Sequence, residues 1–258
     1  MVTLAWSLDH VGPMARTAED CALLLQPLAG YDPADPASAN VPVSDYSARI
    51  EAGVRGLRIG VPRDGYFWDG LAPEVERALE QAMEDFRSLG AEVRDLRIPS
   101  IDAADAGILI MLVEAFAYHQ DDLRARPEKY GRVAGNLFRA GGMFTGGEYV
   151  QAQRLRARLC QDVVAAFREV DLFLCPASPE PPVTFETTYG APRRVRNRTI
   201  PFNMTGSPAL VQPCGFTEDQ LPLGMQLVGP HFNEALVLRA AHAYQRETDW
   251  HRRRPPIG

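Results

Sequence analysis

The sequence predicts an α/β protein, because short β-rich runs alternate with segments of helical periodicity along its 258 residues. The composition agrees: 46% of residues are hydrophobic and 23% are charged, which is typical of proteins that bury a core. We find no internal repeat of fixed period. Length alone leaves open one large domain or two small ones.

The N-terminal part predicts extended chain followed by one helix and a loop. Residues 1–13 end in Gly and Pro, which break the extended chain before a helix. Thr17 is the expected N-cap of that helix, with Asp20 three positions later, and Gly30 ends it. The prolines and small residues of 31–46 then predict an ordered loop.

A strand, a helix and a second strand are predicted over residues 57–98. The run LRIGVP at 57–62 is rich in β-formers, and Pro73 opens a helix that Gly90 stops. Residues 93–98 alternate as a strand does. These lengths are typical of a βαβ unit with parallel strands, although the second strand could instead pair antiparallel at an edge.

Beyond residue 98 the pattern predicts further helices and strands. A glycine-rich segment at 141–147 lacks the spacing of a phosphate-binding loop, so we interpret it as punctuation between helices. The predicted elements are helices at 104–124 and 148–168, buried strands at 171–176, 209–216 and 223–228, and a last helix at 233–248.

Charge and hydropathy exclude several classes of partner. The formal net charge is -6, and the basic cluster Arg252–Arg254 is too short to define a nucleic-acid or anionic lipid surface. No apolar run reaches the roughly 18 residues of a membrane helix, and the N-terminus lacks a leader pattern. The sequence therefore predicts no nucleic-acid partner, no membrane association and a cytoplasmic location.

Neither a metal site nor a nucleophile is predicted from residue spacing. The four cysteines are far apart and the five histidines form no ligand motif, so we expect reduced thiols, no metal and no cofactor. No G-x-S-x-G occurs, and Pro208 after Ser207 removes an N–H that an oxyanion hole would need. Cys175 precedes Pro176 and meets the same objection.

Three stretches of the sequence resemble the amidase-signature family. The first is SLDHVGPMARTAEDCALLL at Ser7–Leu25. The second is YDPADP at Tyr31–Pro36 followed by GLRIGVPRDGYF at Gly56–Phe67. The third comprises DLFLCPASPEPP at Asp171–Pro182, RNRTIPFNMTGSPALVQPCGF at Arg196–Phe216 and the segment Leu221–Pro255. The resemblance implies a mixed central sheet flanked by helices on both faces. It also implies that residues 1–258 form the C-terminal part of a single amidase domain, with the unit 57–98 inside it.

The resemblance further implies an activity whose catalytic residues this chain is expected to lack. Enzymes of this family hydrolyse a carboxamide to a carboxylate and ammonia or an amine, using a Ser, a second Ser at a cis peptide bond, and a Lys. The only lysine here is Lys129, which has no serine nearby in sequence. We therefore assign no catalytic residue and expect the chain to be inactive alone, needing the N-terminal half in cis or in trans. The alternative is a non-catalytic module that pairs with another polypeptide, including an amidotransferase A-type subunit fragment.

The family resemblance also nominates residues for the wall of the substrate site, namely Pro176, Thr199, Phe202 and Asn203. The competing interpretation is that Asn203 and Gly206 only cap and turn the chain. Residues 196–198 are Arg, Asn and Arg where the amidotransferase subunit usually has an acidic residue for glutamine's amino group. This difference favours a small amide substrate over glutamine.

Overall fold

The computed structural model describes residues 2–63, 65–190 and 196–255. Within these ranges the chain forms nine α-helices and five strands. The helices are α1 Ala18–Leu28, α2 Gly65–Trp68, α3 Pro73–Ser88, α4 Ala106–Ala125, α5 Arg132–Gly141, α6 Gly146–Ala166, α7 Phe185–Gly190, α8 Ile200–Thr205 and α9 Glu234–Glu247. The strands are β1 Arg58–Pro62, β2 Glu92–Leu96, β3 Leu172–Pro176, β4 Ala209–Phe216 and β5 Pro222–Val228.

The five strands form one mixed sheet in the order β2-β1-β3-β5-β4. Strand β1 is parallel to β2 and to β3, whereas β5 is antiparallel to β3 and to β4. The prediction of an α/β fold with a mixed central sheet is confirmed. The second strand of the 57–98 segment pairs parallel, not antiparallel, and lies at the edge of the sheet.

Strand β3 has no exposed residue, because both of its faces are covered. On one face Leu172 and Leu174 belong to a core that also includes residues of α3 and α9. On the other face the ring of Phe173 stacks on Phe167 with centroids 4.0 Å apart. A strand enclosed in this way reads as a continuous apolar run, which is why the sequence pattern located it.

The chain divides into two compact units, each of which is described by itself. The unit that contains the sheet, here called the sheet unit, comprises the described residues of Gly12–Ile98, Val164–Arg198 and Ser207–Gly258. The helical unit comprises those of Met1–Val11, Pro99–Val163 and Thr199–Gly206. The assignment of residues 1–258 to part of a single domain stays a prediction.

In the helical unit, glycine allows α4 and α5 to approach closely. A Cβ at Gly141 would lie 1.9 Å from the carbonyl oxygen of Leu112, and one at Gly142 would lie 2.7 Å from the ring of Phe116. The glycine-rich segment is therefore partly a packing feature. The sequence interpretation gave this segment only the role of separating helices, and it did not predict α5, which ends at Gly141.

Two other local features differ from the sequence-based expectation. Residues 2–11 include a turn, because the N–H groups of Leu8 and Asp9 donate to the Ala5 carbonyl at 3.0 and 2.9 Å. Strand β4 has the predicted bounds but is not fully buried, since it is an edge strand and Val211 is 55% exposed. In the described ranges, none of the helices combines the length and the apolar character that a bilayer crossing requires.

We predict that Gly141→Ala lowers the free energy of unfolding by about 1–3 kcal/mol, because the methyl group would overlap a backbone oxygen of α4. Urea denaturation measures this. Gly146→Ala is the matched control, since no atom lies within 4 Å of a Cβ at that position. Equal stability of the two variants would contradict the packing argument.

A second prediction concerns acid stability. The Asp171 carboxylate accepts the Arg58 backbone N–H at 2.8 Å and its guanidinium Nη2 at 2.8 Å, and these bonds lower the pKa of Asp171. A lowered folded-state pKa contributes stability that is present above the unfolded value of about 3.9 and is lost as pH falls through the folded value. Asp171→Asn should therefore be less stable than the parent at neutral pH, with the difference shrinking below about pH 4.

Denaturation across a pH series, with Asp219→Asn in the exposed turn after β4 as control, measures this difference. If the stability difference between the Asp171→Asn variant and the parent does not change with pH, the ion pair with Arg58 does not stabilise the parent.

Candidate functional site

The short helix α8 and its N-cap carry Thr199, Phe202 and Asn203, three of the predicted site residues. Pro201 lies in its first turn, where a missing N–H costs no intrahelical bond. The helix ends at Gly206, whose φ of 72° is left-handed and whose N–H donates to the Phe202 carbonyl at 2.9 Å. Gly206 therefore turns the chain at the end of α8, as expected if this residue has a structural role.

Arg156 of α6 holds both the end of α8 and the N-terminal segment. Its Nε donates to the Met204 carbonyl at 2.6 Å, and its Nη1 and Nη2 donate to the Oγ and the carbonyl of Ser7, each at 2.8 Å. Asn203 adds a bond from its Nδ2 to the Leu8 carbonyl at 3.1 Å. The planar fork of donors on Arg156 thus bonds three oxygens at once and clamps the two segments together.

A carboxylate from α4 completes this network. Glu114 accepts the backbone N–H of Ser7 at 2.8 Å, the Ser7 hydroxyl at 2.7 Å and the Tyr149 hydroxyl at 2.8 Å. Burial, and then the bond to Glu114, raise the pKa of Tyr149. Because Ser7 is bonded both to Glu114 and to Arg156, and Arg156 also bonds Met204, the network restricts the geometry of residue 7 and of the end of α8.

In the sheet unit, Gln226 fixes the end of β3. Its side chain is 1% exposed, and its Nε2 donates to the carbonyls of Pro176 at 3.1 Å and Arg198 at 2.8 Å. Arg198 is also buried, and its Nη2 donates to the Asp69 carbonyl at 2.7 Å. Pro176 and residue 198 are therefore held in place by one amide group.

The segment 196–198, which we interpreted from sequence as a substrate-discriminating difference, also contacts Tyr66. The Tyr66 hydroxyl donates to the Asn197 carbonyl at 2.9 Å, and the Arg196 guanidinium lies 4.8 Å from the centre of the Tyr66 ring. Both contacts are structural, and they orient the segment within the sheet unit.

The predicted site residues are divided between the two units. Thr199, Phe202 and Asn203 lie in the helical unit, and Pro176 lies in the sheet unit. Phe202 is 2% exposed, and Asn203 is half-buried. Their assignment to the substrate wall stays a prediction.

Sequence reasoning missed Glu114, Arg156 and Gln226. Two of them carry a signal: Glu114 is the lone acid in the apolar run ILIMLVEAFAY, and Gln226 is the lone polar residue in LGMQLV. A charged or amide side chain surrounded by apolar neighbours is expected to have buried partners. Arg156 has no such signal, because it is one of several arginines in RLRARL.

The lysine and three of the thiols that the sequence singled out lie in different environments. Lys129 is exposed at the end of a short 3-10 helix, Pro127–Lys129. Burial raises the pKa of Cys214 to about 12, and desolvation also raises the pKa of Cys21 and Cys160. Across residues 2–63, 65–190 and 196–255, His, Cys, Asp and Glu side chains form no group of three or more that could hold a metal ion.

The helical unit also has an open, mostly apolar groove of about 530 Å³. Its lining residues are Ala106, Leu109, Thr145, Gly147, Glu148, Gln151, Ala152 and Leu155. Glu148 accepts the backbone N–H of Thr145 at 2.7 Å and its hydroxyl at 2.9 Å, which is a capping box for α6. The polar groups of Thr145 and Glu148 therefore cap the N-terminus of α6.

We predict that Arg156→Met lowers the free energy of unfolding by about 2–3 kcal/mol, because three oxygens lose a hydrogen-bond donor. Arg154→Met is the control on the same helix; its exposed side chain makes only a 3.4 Å contact to Gln151, so we expect a change below about 0.5 kcal/mol. Chemical denaturation compares them, and similar losses in both would contradict the clamp.

Comparison with known proteins identifies the family. The Amidase family model matches residues 1–238. An amidase of Pseudomonas putida is 39% identical over 265 residues, which cover 99% of this chain and 56% of the relative. The A subunit of the glutamyl-tRNA(Gln) amidotransferase of Pseudomonas savastanoi pv. phaseolicola is 38% identical over 283 residues, covering 99% of this chain and 58% of the relative.

A solved structure supports the same conclusion at the level of the fold. It shows a vestigial protein complex that bears on the origin of an s-triazine catabolic enzyme, with a TM-score of 0.83 and 29% identity over 94% of this chain and 54% of that chain. This chain thus spans between half and three fifths of the length of the relatives that it matches, which is consistent with a C-terminal portion. On the family match and the identity to these relatives, the chain belongs to the amidase family.

Proposed function

We propose that this chain forms the substrate-pocket part of a carboxamide hydrolase. The observation that carries the proposal is the match of 99% of the chain to an amidase at 39% identity. In the proposed reaction water adds its oxygen to the amide carbon, the C–N bond breaks, and the nitrogen leaves with a proton as ammonia or an amine. The products are a carboxylate and that amine, and no cofactor or metal is required.

The proposed division of labour places the catalytic Ser, cis-Ser and Lys outside this chain. In an amidase of this type, the serine attacks the amide carbon and a neutral lysine receives its proton. Lys129, the only lysine, is exposed at the end of a short 3-10 helix and has no serine near it in sequence. We therefore propose that the chain is inactive by itself and needs the remaining amidase half, on the same polypeptide or on another.

The proposed contribution of this chain is a rigid wall for the acyl group. Pro176, Thr199, Phe202 and Asn203 are the proposed wall residues. The Nδ2 of Asn203 donates to the Leu8 carbonyl at 3.1 Å and also lies 3.4 Å from Nδ1 of His10, so the amide is oriented by the N-terminal segment. Arg156 and Gln226 support the wall by holding the backbone at Met204 and at Pro176. Each of these two residues thus orders the backbone beside the proposed wall residues of its own unit.

The proposed substrate is a small aliphatic or aryl amide, with a cytoplasmic location and no nucleic-acid partner. The basic residues at 196 and 198 support this choice, because they would repel the amino group of glutamine. A second candidate is a polypeptide that pairs with another chain, as an amidotransferase A-type fragment would. The 38% identity to the amidotransferase relative favours it. Glutamine and benzamide as competing substrates distinguish the two.

We predict that the purified chain does not release ammonia from acetamide, benzamide or glutamine, because the proposed catalytic Ser, cis-Ser and Lys lie outside it. Coupled detection of ammonia measures this, and the intact Pseudomonas putida amidase is the positive control. Amide turnover by the chain alone would reject the proposed division of labour, most directly if Lys129→Ala abolished that turnover.

A further inference from the structure

In the helical unit, the backbone carbonyl oxygen of Leu8 accepts hydrogen bonds from two side chains. Nδ1 of His10 lies 2.8 Å from this oxygen, and Nδ2 of Asn203 lies 3.1 Å from it. The two side-chain nitrogens are themselves 3.4 Å apart. One backbone oxygen therefore holds an imidazole ring and a carboxamide group side by side.

The contact with Leu8 decides which tautomer of His10 is present. A carbonyl oxygen only accepts hydrogen bonds, so Nδ1 at 2.8 Å must carry a proton. In the neutral ring Nε2 then has a lone pair and is an acceptor. By the same reasoning the nitrogen of the Asn203 amide faces Leu8, which leaves Oδ1 as the acceptor of that amide. Nε2 of His10 and Oδ1 of Asn203 are here called the acceptor pair.

Both members of the acceptor pair are available to a ligand. Within residues 2–63, 65–190 and 196–255, neither atom has a hydrogen-bond partner. The His10 side chain is exposed, and Asn203 is half-buried. Water satisfies acceptors in such positions, and a ligand that supplies N–H donors can take the place of that water.

The backbone behind the acceptor pair is held by other hydrogen bonds. Nη2 of Arg156 donates to the Ser7 carbonyl at 2.8 Å, and the Leu8 N–H donates to the Ala5 carbonyl at 3.0 Å. On α8, Nε of Arg156 donates to the Met204 carbonyl at 2.6 Å. Side chains that are oriented before a ligand arrives lose less conformational entropy when it binds.

Two acceptors held side by side are complementary to a group with two N–H donors. The nitrogen of a primary carboxamide has two N–H groups, whereas the nitrogen of a tertiary carboxamide has none. In acetamide or benzamide the carboxamide nitrogen is also the only donor, so the acceptor pair would bond that nitrogen and not the acyl group. A site that bonds a substrate N–H discriminates strongly against an analogue that lacks it, because the protein group is then left unpaired.

We propose that His10 contacts the substrate together with Asn203, and that the acceptor pair selects primary carboxamides. One N–H of the substrate nitrogen donates to Nε2 of His10, and the other donates to Oδ1 of Asn203. Hydrolysis of such a substrate releases ammonia and not a substituted amine. This inference rests on the proposed function, in which Asn203 is a wall residue, and it adds His10 and the class of amide.

The experiment uses the full chain, labelled with nitrogen-15 in its histidine and asparagine side chains. The probes are acetamide and N,N-dimethylacetamide, which can both be titrated to high concentration. Without a probe, the NMR spectrum should show His10 protonated at Nδ1. Acetamide should shift the Nε2 resonance of His10 towards that of a protonated nitrogen, because Nε2 then accepts a hydrogen bond. N,N-Dimethylacetamide should not, and the other four histidines are internal references.

His10→Ala should weaken acetamide binding about two- to tenfold, as followed through the side-chain amide signal of Asn203. His231→Ala, which removes an exposed histidine of the sheet unit, is the matched control and should bind as the parent does. Thermal unfolding verifies that both variants are folded. The proposal is overturned by a proton on Nε2 in place of Nδ1, by no response of His10 to acetamide, by equal responses to the two amides, or by unchanged binding in His10→Ala.

The proposed function can fail separately from the acceptor pair. If acetamide binds the acceptor pair but the chain, combined with the remaining half of the Pseudomonas putida amidase, does not hydrolyse it, the pair stands and the proposed activity is rejected. If the combined polypeptides hydrolyse acetamide and N,N-dimethylacetamide equally fast, the activity stands and the selection of primary carboxamides is rejected.

Discussion

The complete burial of β3 is the constraint on which the sheet unit depends. A strand with both faces covered needs hydrogen-bonded neighbours on both edges, and β1 and β5 supply them in parallel and antiparallel directions. Its two ends are then fixed by polar groups. Asp171 joins its start to β1 through Arg58, and the Gln226 amide donates to its final carbonyl at Pro176. The predicted site residue Pro176 therefore has little freedom to move.

In the helical unit, charged side chains hold the backbone in place. Arg156 and Glu114 are placed on either side of Ser7, and each satisfies groups that would otherwise lack partners in a half-buried environment. Such a network contributes more to a unique geometry than to net stability, because desolvation offsets much of its attraction. Its functional importance is that Met204, next to Asn203, is one of the groups it holds.

Family membership and activity rest on different kinds of support. Membership follows from the family match and from identity over nearly the whole chain. Activity depends on side chains at particular positions, and family membership alone does not assign those roles to residues of this chain. For this reason the pocket wall is a proposal about residues, whereas the family is a finding.

The sequence by itself determined most elements, because their signals are local. Strand β4 has the predicted bounds, and Thr17 caps α1 by accepting the Asp20 N–H at 3.0 Å, as the spacing indicates. Only the tertiary structure shows that α5 packs closely on α4 at Gly141, that Val211 is exposed, and that Arg156 is the arginine that clamps two segments. Each of these depends on what lies across from a residue in space, namely the Leu112 carbonyl, the sheet edge and the Ser7–Met204 oxygens. Local periodicity contains no information about such distant partners.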